Sequence, residues 1–270
     1  MLWERKGQGP MRKTEYELPA GVSRTIALVT DLHEFDPEPV LEILRQVRPD
    51  VIAVAGDTLE RYDLGDNLDE YDPSLSSRWI CAGLRGAKLL GALLRSEEKE
   101  GHRENAYRFF REAGRIAPVL LSRGNHELYL TEEDRAVMAD AGVTLLDNGC
   151  ITLGGILFGG LTSRQVTGTF DDAFLEAFSA SPRYKVLLCH HPEYYPHLSQ
   201  YPIDLILSGH CHGGQIRICG RGLFSPGQGL FPKYHHGVYD GRLVVSAGCA
   251  NTAPIPRWGN ETEVVIVRLI

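Results

Sequence analysis

Short apolar runs alternate with segments of helical periodicity along the first half of the chain. Residues 24–30, 51–55 and 118–122 are unbroken aliphatic or β-branched runs, the pattern of strands buried on both faces. After the first run, Val40, Leu41, Ile43, Leu44 and Val47 share one helical face, and Pro49 ends the segment. Thr131 followed by Glu132, Glu133 and Asp134 predicts a helix start, with Gly142 as the matching stop. The second half is richer in strands and glycine. Residues 143–146, 150–153, 156–161, 185–189, 203–207, 243–247 and 263–269 all have strand character, and a helix is predicted over about 171–180. This order is that of a layered α/β domain.

Composition adds limits. With 270 residues and 43% apolar content the chain can build a substantial core. A formal charge of −7 argues against holding duplex nucleic acid by an overall field, so no such partner is expected. Six cysteines without a CxxC pair read as reduced thiols, some of them buried. Residues 1–21 are basic in places but have no apolar stretch behind the basic residues, so no secretory signal is expected. The uncharged stretch 148–163 holds five glycines and reads as two strands with turns, not a membrane span. A cytoplasmic location is expected. There is no internal repeat and no Pro/Ser-rich linker, so residues 1–270 are expected to form one domain.

The residues directly after the predicted strands carry the chemistry. The five runs lead into Asp31-Leu32-His33, Gly56-Asp57, Gly124-Asn125-His126-Glu127, His190-His191-Pro192 and Gly209-His210-Cys211-His212. In open α/β sheets ligands bind at the carboxyl ends of strands, so these groups can converge on one metal centre. Two carboxylates, several imidazoles and one carboxamide suit Mn, Fe or Zn better than Ca or Mg. Seven candidate ligands oversupply one tetrahedral ion, whereas two divalent ions sharing a carboxylate use them all.

On these residues the chain resembles the calcineurin-like metallophosphoesterases: DxH at 31–33, GD at 56–57, GNHE at 124–127, LxHxP at 188–192 and GHxH at 210–212. Within them, the SGHCHGGQIR stretch, a Tyr-x-x-Gly-like element near 234–241 and the Ala-Pro-Ile-Pro-Arg at 253–257 resemble a bacterial branch of small phosphoesterases. That branch includes enzymes acting on cell-envelope or nucleotide-sugar lipid substrates. The resemblance implies a four-layer α/β/β/α sandwich of two mixed sheets flanked by helices, with the metals at the strand C-terminal ends. It also implies that Asp31, His33 and His212 take one metal, that Asn125, His190 and His210 take the other, and that Asp57 bridges them. His126 would contact phosphate and protonate the leaving oxygen, after in-line attack by a hydroxide between the metals. The expected activity is hydrolysis of a phosphate ester, a diester before a monoester, in a small, nucleotide-linked or lipid-linked substrate. A lipid-linked substrate would imply peripheral membrane contact. A nuclease and a catalytically silent metal-binding protein are the rival readings.

Around this set, His191 is expected to line the pocket, and Glu127 either orients His126 or begins the next loop. His235 and His236 are expected on a surface loop. Arg123, Arg164, Arg217 and Arg257 are candidate phosphate partners because guanidinium fits phosphate oxygens in a fork, with Arg217 first and Arg123 also expected at the substrate. Residues 60–72 carry six acidic side chains against one arginine, and residues 75–113 read as two helices. The insertion at about 60–113 reads as a solvated hairpin, a helical cap over the metals, or a dimer contact.

Overall fold

The computed structural model describes residues 11–61, 99–253 and 255–270. The first sheet is formed by β1 (Arg12–Leu18), β2 (Arg24–Val29), β3 (Val51–Ala55), β4 (Val119–Ser122), β5 (Val143–Leu145) and the late strand β16 (Glu263–Leu269), in the spatial order β1-β16-β2-β3-β4-β5. Strands β2 to β5 run parallel, while β16 is antiparallel to β2 and parallel to β1. The second sheet contains β6 (Gly149–Leu153), β7 (Ile156–Leu161), β8 (Lys185–Cys189), β9 (Leu205–Ser208), β14 (Gly237–Tyr239) and β15 (Leu243–Val245), in the order β14-β15-β9-β8-β7-β6. Its four central strands are parallel and its two edge pairings antiparallel. Both sheets are therefore mixed. Two small hairpins lie between β9 and β14: β10 (Arg217–Ile218) with β11 (Arg221–Gly222), and β12 (Phe224–Ser225) with β13 (Gly229–Leu230).

Period-two alternation divides each central strand between two cores. In β2, Ile26 and Leu28 face the second sheet, where they meet Phe158, Val186, Leu188, Leu205 and Leu207. Ala27 and Val29 face the other way, onto the helices α1 (Glu38–Val47), α2 (Lys99–Ile116) and α3 (Glu132–Asp140). The outer face of the second sheet packs Leu187, Ile206 and Val245 against Leu175 and Phe178 of α4 (Asp172–Ser179). The result is a four-layer α/β/β/α sandwich, and unbroken apolar runs are what such doubly covered strands require.

Two elements differ from the expectation. Strand β1 was not legible, because charged residues alternate with the buried Thr14 and Leu18 on an edge strand. The expected insertion also changes at its C-terminal end. Ala106, Tyr107, Phe109, Phe110 and Ala113 of α2 are buried in the core beneath the first sheet, so residues 99–113 belong to the helical layer and not to a cap. Their aromatic face needs the sheet to cover it. Residues 62–98, where the rest of the expected cap falls, lie outside the described residues.

Candidate metal centre

Strands β2, β3 and β4 are neighbours in one sheet, β8 and β9 are neighbours in the other, and the two groups face each other across the central core. The ends of all five reach one point. Two buried carboxylates stand at its centre. Around Asp31 Oδ1 lie His33 Nε2 at 3.9 Å, His190 Nε2 at 4.0 Å and His212 Nε2 at 3.7 Å. Around Asp57 Oδ2 lie His33 Nε2 at 3.8 Å, His126 Nε2 at 3.8 Å and His190 Nε2 at 3.0 Å.

The backbone that holds these groups is strained where they stand. Asp31, His33, Asp57, His210 and His212 all have φ between 44° and 67°, a region non-glycine residues seldom occupy. Each carboxylate also fastens another loop of the site. Asp31 accepts from the His210 backbone N–H at 3.1 Å, and Asp57 accepts from that of His126 at 2.9 Å. Gly56 (φ 86°) and Gly124 let the β3 and β4 loops touch, since a Cβ on Gly56 would lie 2.8 Å from the Gly124 Cα and 2.7 Å from His190 Nδ1.

Second partners set the imidazole tautomers. His190 Nδ1 donates to the Ala55 carbonyl at 2.7 Å, which turns Nε2 onto the carboxylates. Glu60 does the same twice, taking His33 Nδ1 at 2.5 Å and His126 Nδ1 at 3.1 Å. Burial works against ionised carboxylates here, but His190 and His126 hold Asp57 well below the usual range, and His212 and His190 lower Asp31. Burial lowers His210 and brings His212 to about 3, so both rings are neutral at neutral pH, the form that can bind a metal. Against its own burial, the two carboxylates raise His190 to about 10; a proton there and a cation are alternative ways to neutralise them.

The donor set fits divalent metal. His33 Nε2, beside the two carboxylates, and Asn125 Oδ1 are buried without a hydrogen-bond partner, an arrangement that is costly unless a cation fills it. Asp31, His33 and His212 bring ligand atoms within 4.8 Å of one another, and so do Asp57, His190 and His210. Six of the expected ligand residues thus cluster, with His126 beside His33 and Asp57, and Asn125 stands between Gly124 and His126 on the loop that touches Asp57.

The flanking expectations fare differently. Arg123 is not free to meet phosphate, because it donates to the carbonyls of Glu127 and Leu128 and pairs with Asp147. Arg217 turns beneath the His212–Gly214 turn, donating to Gly213 O at 3.0 Å, with Glu263 and Tyr16 among its charged and polar neighbours. Arg257 is the guanidinium at the centre, 3.1 Å from His212 Nδ1 and tied to the carbonyls of Ala247 and Ala250. His191 is buried and engaged at both nitrogens, by Ser163 Oγ at 2.8 Å and Glu193 Oε1 at 3.0 Å, and its ring lies 4.3 Å from that of His210. It braces a proposed ligand and offers substrate no ring nitrogen. Glu127 neither orients His126 nor merely starts a loop: it accepts from the backbone N–H groups of Asp57, Thr58, Leu59 and Gly124, knitting two ligand loops together. His236 is half-buried and lies 3.2 Å from Glu263, not on an open surface. Glu60 and Glu193 were missed. The one available signal was that Glu60 lies three residues beyond Asp57, on the same loop.

Comparison with known proteins adds to this geometry. Residues 24–214 match the family described as calcineurin-like phosphoesterase. The chain is 31% identical over 159 residues to an uncharacterised metallophosphoesterase of Helicobacter pylori, covering 54% of this chain and 41% of that protein. It is 26% identical over 247 residues to the uncharacterised metallophosphoesterase YkoQ of Bacillus subtilis, covering 84% of this chain and 70% of that one. The chain thus spans about two fifths of the Helicobacter relative's length.

Proposed function

Because this chain belongs to the calcineurin-like phosphoesterase family, we propose that it is a dinuclear, metal-dependent hydrolase of phosphate esters, acting on a diester in a small, nucleotide-linked or lipid-linked substrate. One observation carries the reading: two buried carboxylates ringed by imidazole nitrogens at 3.0–4.0 Å, delivered by five strand ends of two sheets. Asp31, His33 and His212 would hold one ion, and Asn125, His190 and His210 the other, with Asp57 between them. Bound Mn, Fe or Zn ions supply Lewis-acid charge to phosphoryl oxygens and lower the pKa of attacking water.

The protein's own groups do the rest. Glu60 takes the Nδ1 side of His126 and leaves Nε2 at the edge of the centre, so the imidazolium form would hold its transferable proton there. From there His126 serves as the acid that protonates the leaving oxygen. Preference for a diester follows from charge. Arg123 is held by backbone carbonyls and Arg217 donates through Nε to Gly213 O, so of the candidate guanidinium groups Arg257, beside His212, is the one that would aid the metals. A singly charged diester needs less such aid than a doubly charged monoester. The SGHxHGGQ stretch supports placement in the bacterial small-phosphoesterase branch.

Protein loaded with Mn²⁺ should hydrolyse bis-p-nitrophenyl phosphate faster than p-nitrophenyl phosphate. Chelation, Asp57→Asn or His210→Ala should lower turnover by at least about a hundredfold, since loss of even an outer partner of a metal ligand costs 10–100-fold. Turnover indifferent to all three would remove the metal mechanism. Metal binding without turnover of any ester would favour the silent binding protein, and preferred cleavage of DNA or RNA would favour the nuclease.

A further inference from the structure

Seven large apolar side chains are exposed among the described residues, and five of them, Ile218, Leu230, Phe231, Ile255 and Trp258, fall within 41 residues of sequence. The backbone brings them side by side. Arg217 N donates to Trp258 O, Leu223 N donates to Ile216 O, and Phe231 N donates to Leu223 O, at 2.9, 2.8 and 2.9 Å. Trp258, the β10 segment, the β11 segment and Phe231 thus lie in succession across one small ladder. Phe231 is 68% exposed and Trp258 66%. Contiguous exposed apolar residues of this size mark an interaction surface.

The charge around them is as uneven. Residues 205–263 contain five basic residues and three acidic ones, Asp240, Glu261 and Glu263. That is a net +2, which leaves −9 on the rest of a chain whose total is −7. Arg221 on β11 and Lys233, just after β13, are exposed. The ladder also adjoins the metal centre: Gln215 Nε2 donates to Ile255 O, and Arg257, next to Trp258, reaches His212.

We propose that this face docks the protein on an anionic phospholipid bilayer. Exposed Trp, Phe and Ile enter the headgroup boundary, where an aromatic ring has both apolar and polar neighbours. Arg221 and Lys233 meet the lipid phosphates. Nucleic acid fits less well, because exposed apolar side chains gain nothing from a phosphate backbone. Docking this way would hold the His212 turn at the membrane surface, within reach of ester phosphates at headgroup level. The proposal extends the function inferred above but does not depend on it, because binding is measured without turnover.

The test is co-sedimentation of the full chain with phosphatidylcholine vesicles, with and without phosphatidylglycerol. Partition onto the mixed vesicles should exceed that onto neutral ones by at least roughly tenfold, as expected for two cations near an anionic surface, and should weaken with added salt. Trp258→Ser combined with Phe231→Asn should abolish binding to both. Arg221→Glu combined with Lys233→Glu should remove the preference for anionic lipid. Asparagine is chosen at 231 because φ there is 53°, which it tolerates. All variants should keep the parent's melting temperature and its bis-p-nitrophenyl phosphate turnover, so failure of the surface and failure of the catalytic reading are separable. Equal partition on both vesicle types, binding that survives the apolar variant, or no binding together with a dimer that the apolar variant breaks, would each overturn the proposal.

Discussion

Glu60 governs two imidazoles with one carboxylate. Its Oε1 takes His33 Nδ1 and its Oε2 takes His126 Nδ1, and the two rings meet edge to face at 4.6 Å between centroids. Burial disfavours its charge, yet His126 and His33 hold its carboxyl well below the usual range, so it is an anion at neutral pH. Such an anion fixes the tautomer in which a histidine presents Nε2 and raises the ring's basicity. Glu60→Gln should therefore weaken metal binding by about 10–100-fold, read by competition with a chromogenic chelator. Unchanged affinity would show that His33 is oriented by packing alone.

At the scale of elements, α2 and α3 decide how firmly the loops after β3 and β4 are held. Thr131 caps α3 and Asp134 closes the capping box, but the Asp134 carboxylate also takes Arg61 through two nitrogens at 2.6 and 2.8 Å and Tyr107 of α2 at 2.8 Å. Arg61 N donates in turn to His126 O. Burial opposes ionisation of Asp134, but Arg61 and the Thr131 backbone bring it down to about 2 from an ordinary 3.8. A depressed carboxyl contributes stability that is complete above its unfolded pKa and is lost as pH falls through the folded one. The stability difference between the parent and Asp134→Asn should shrink by about 2 kcal/mol between pH 4 and pH 2, measured by urea unfolding. A constant difference would mean that the carboxylate acts only through its shape. Because Phe110 is wholly buried beneath the first sheet, Phe110→Ala should cost about 3–5 kcal/mol, a loss a solvated hairpin would not show.

The whole molecule is closed at the metal centre. Asp31, His33, Asp57 and Asn125 come from the first sheet, and His190, His210 and His212 from the second. A cation shared by them would tie the two sheets at one edge. Folded protein binds such an ion far better than the unfolded chain, so Mn²⁺ at about a hundred times its Kd should add about 2.7 kcal/mol of stability. The melting temperature should rise on loading and fall with chelation, and Asp31→Asn should blunt the response. Among the described residues no helix is long and apolar enough to cross a membrane.

Most of the framework was written locally. Each central strand is an apolar run, because both of its faces are covered, and each run is followed at once by its Asp, His or Asn. Strand β1 escaped notice because an edge strand needs few buried residues and is protected from aggregation by its charges. Arg123 and Arg217 looked available because a sequence shows a guanidinium but not the carbonyls that surround it.

Sequence by itself determined which side chains would converge, since a ligand placed directly after a buried strand can only emerge at the strand's end. Tertiary structure alone decided their partners. Glu60 reaches His126 across 66 residues, Glu127 gathers backbone N–H groups 68 to 70 residues away, and the Trp258 backbone joins that of Arg217, whose side chain reaches the His212–Gly214 turn. Such contacts join loops from different strands or the two ends of a long excursion, and no local pattern of residues records where those will meet.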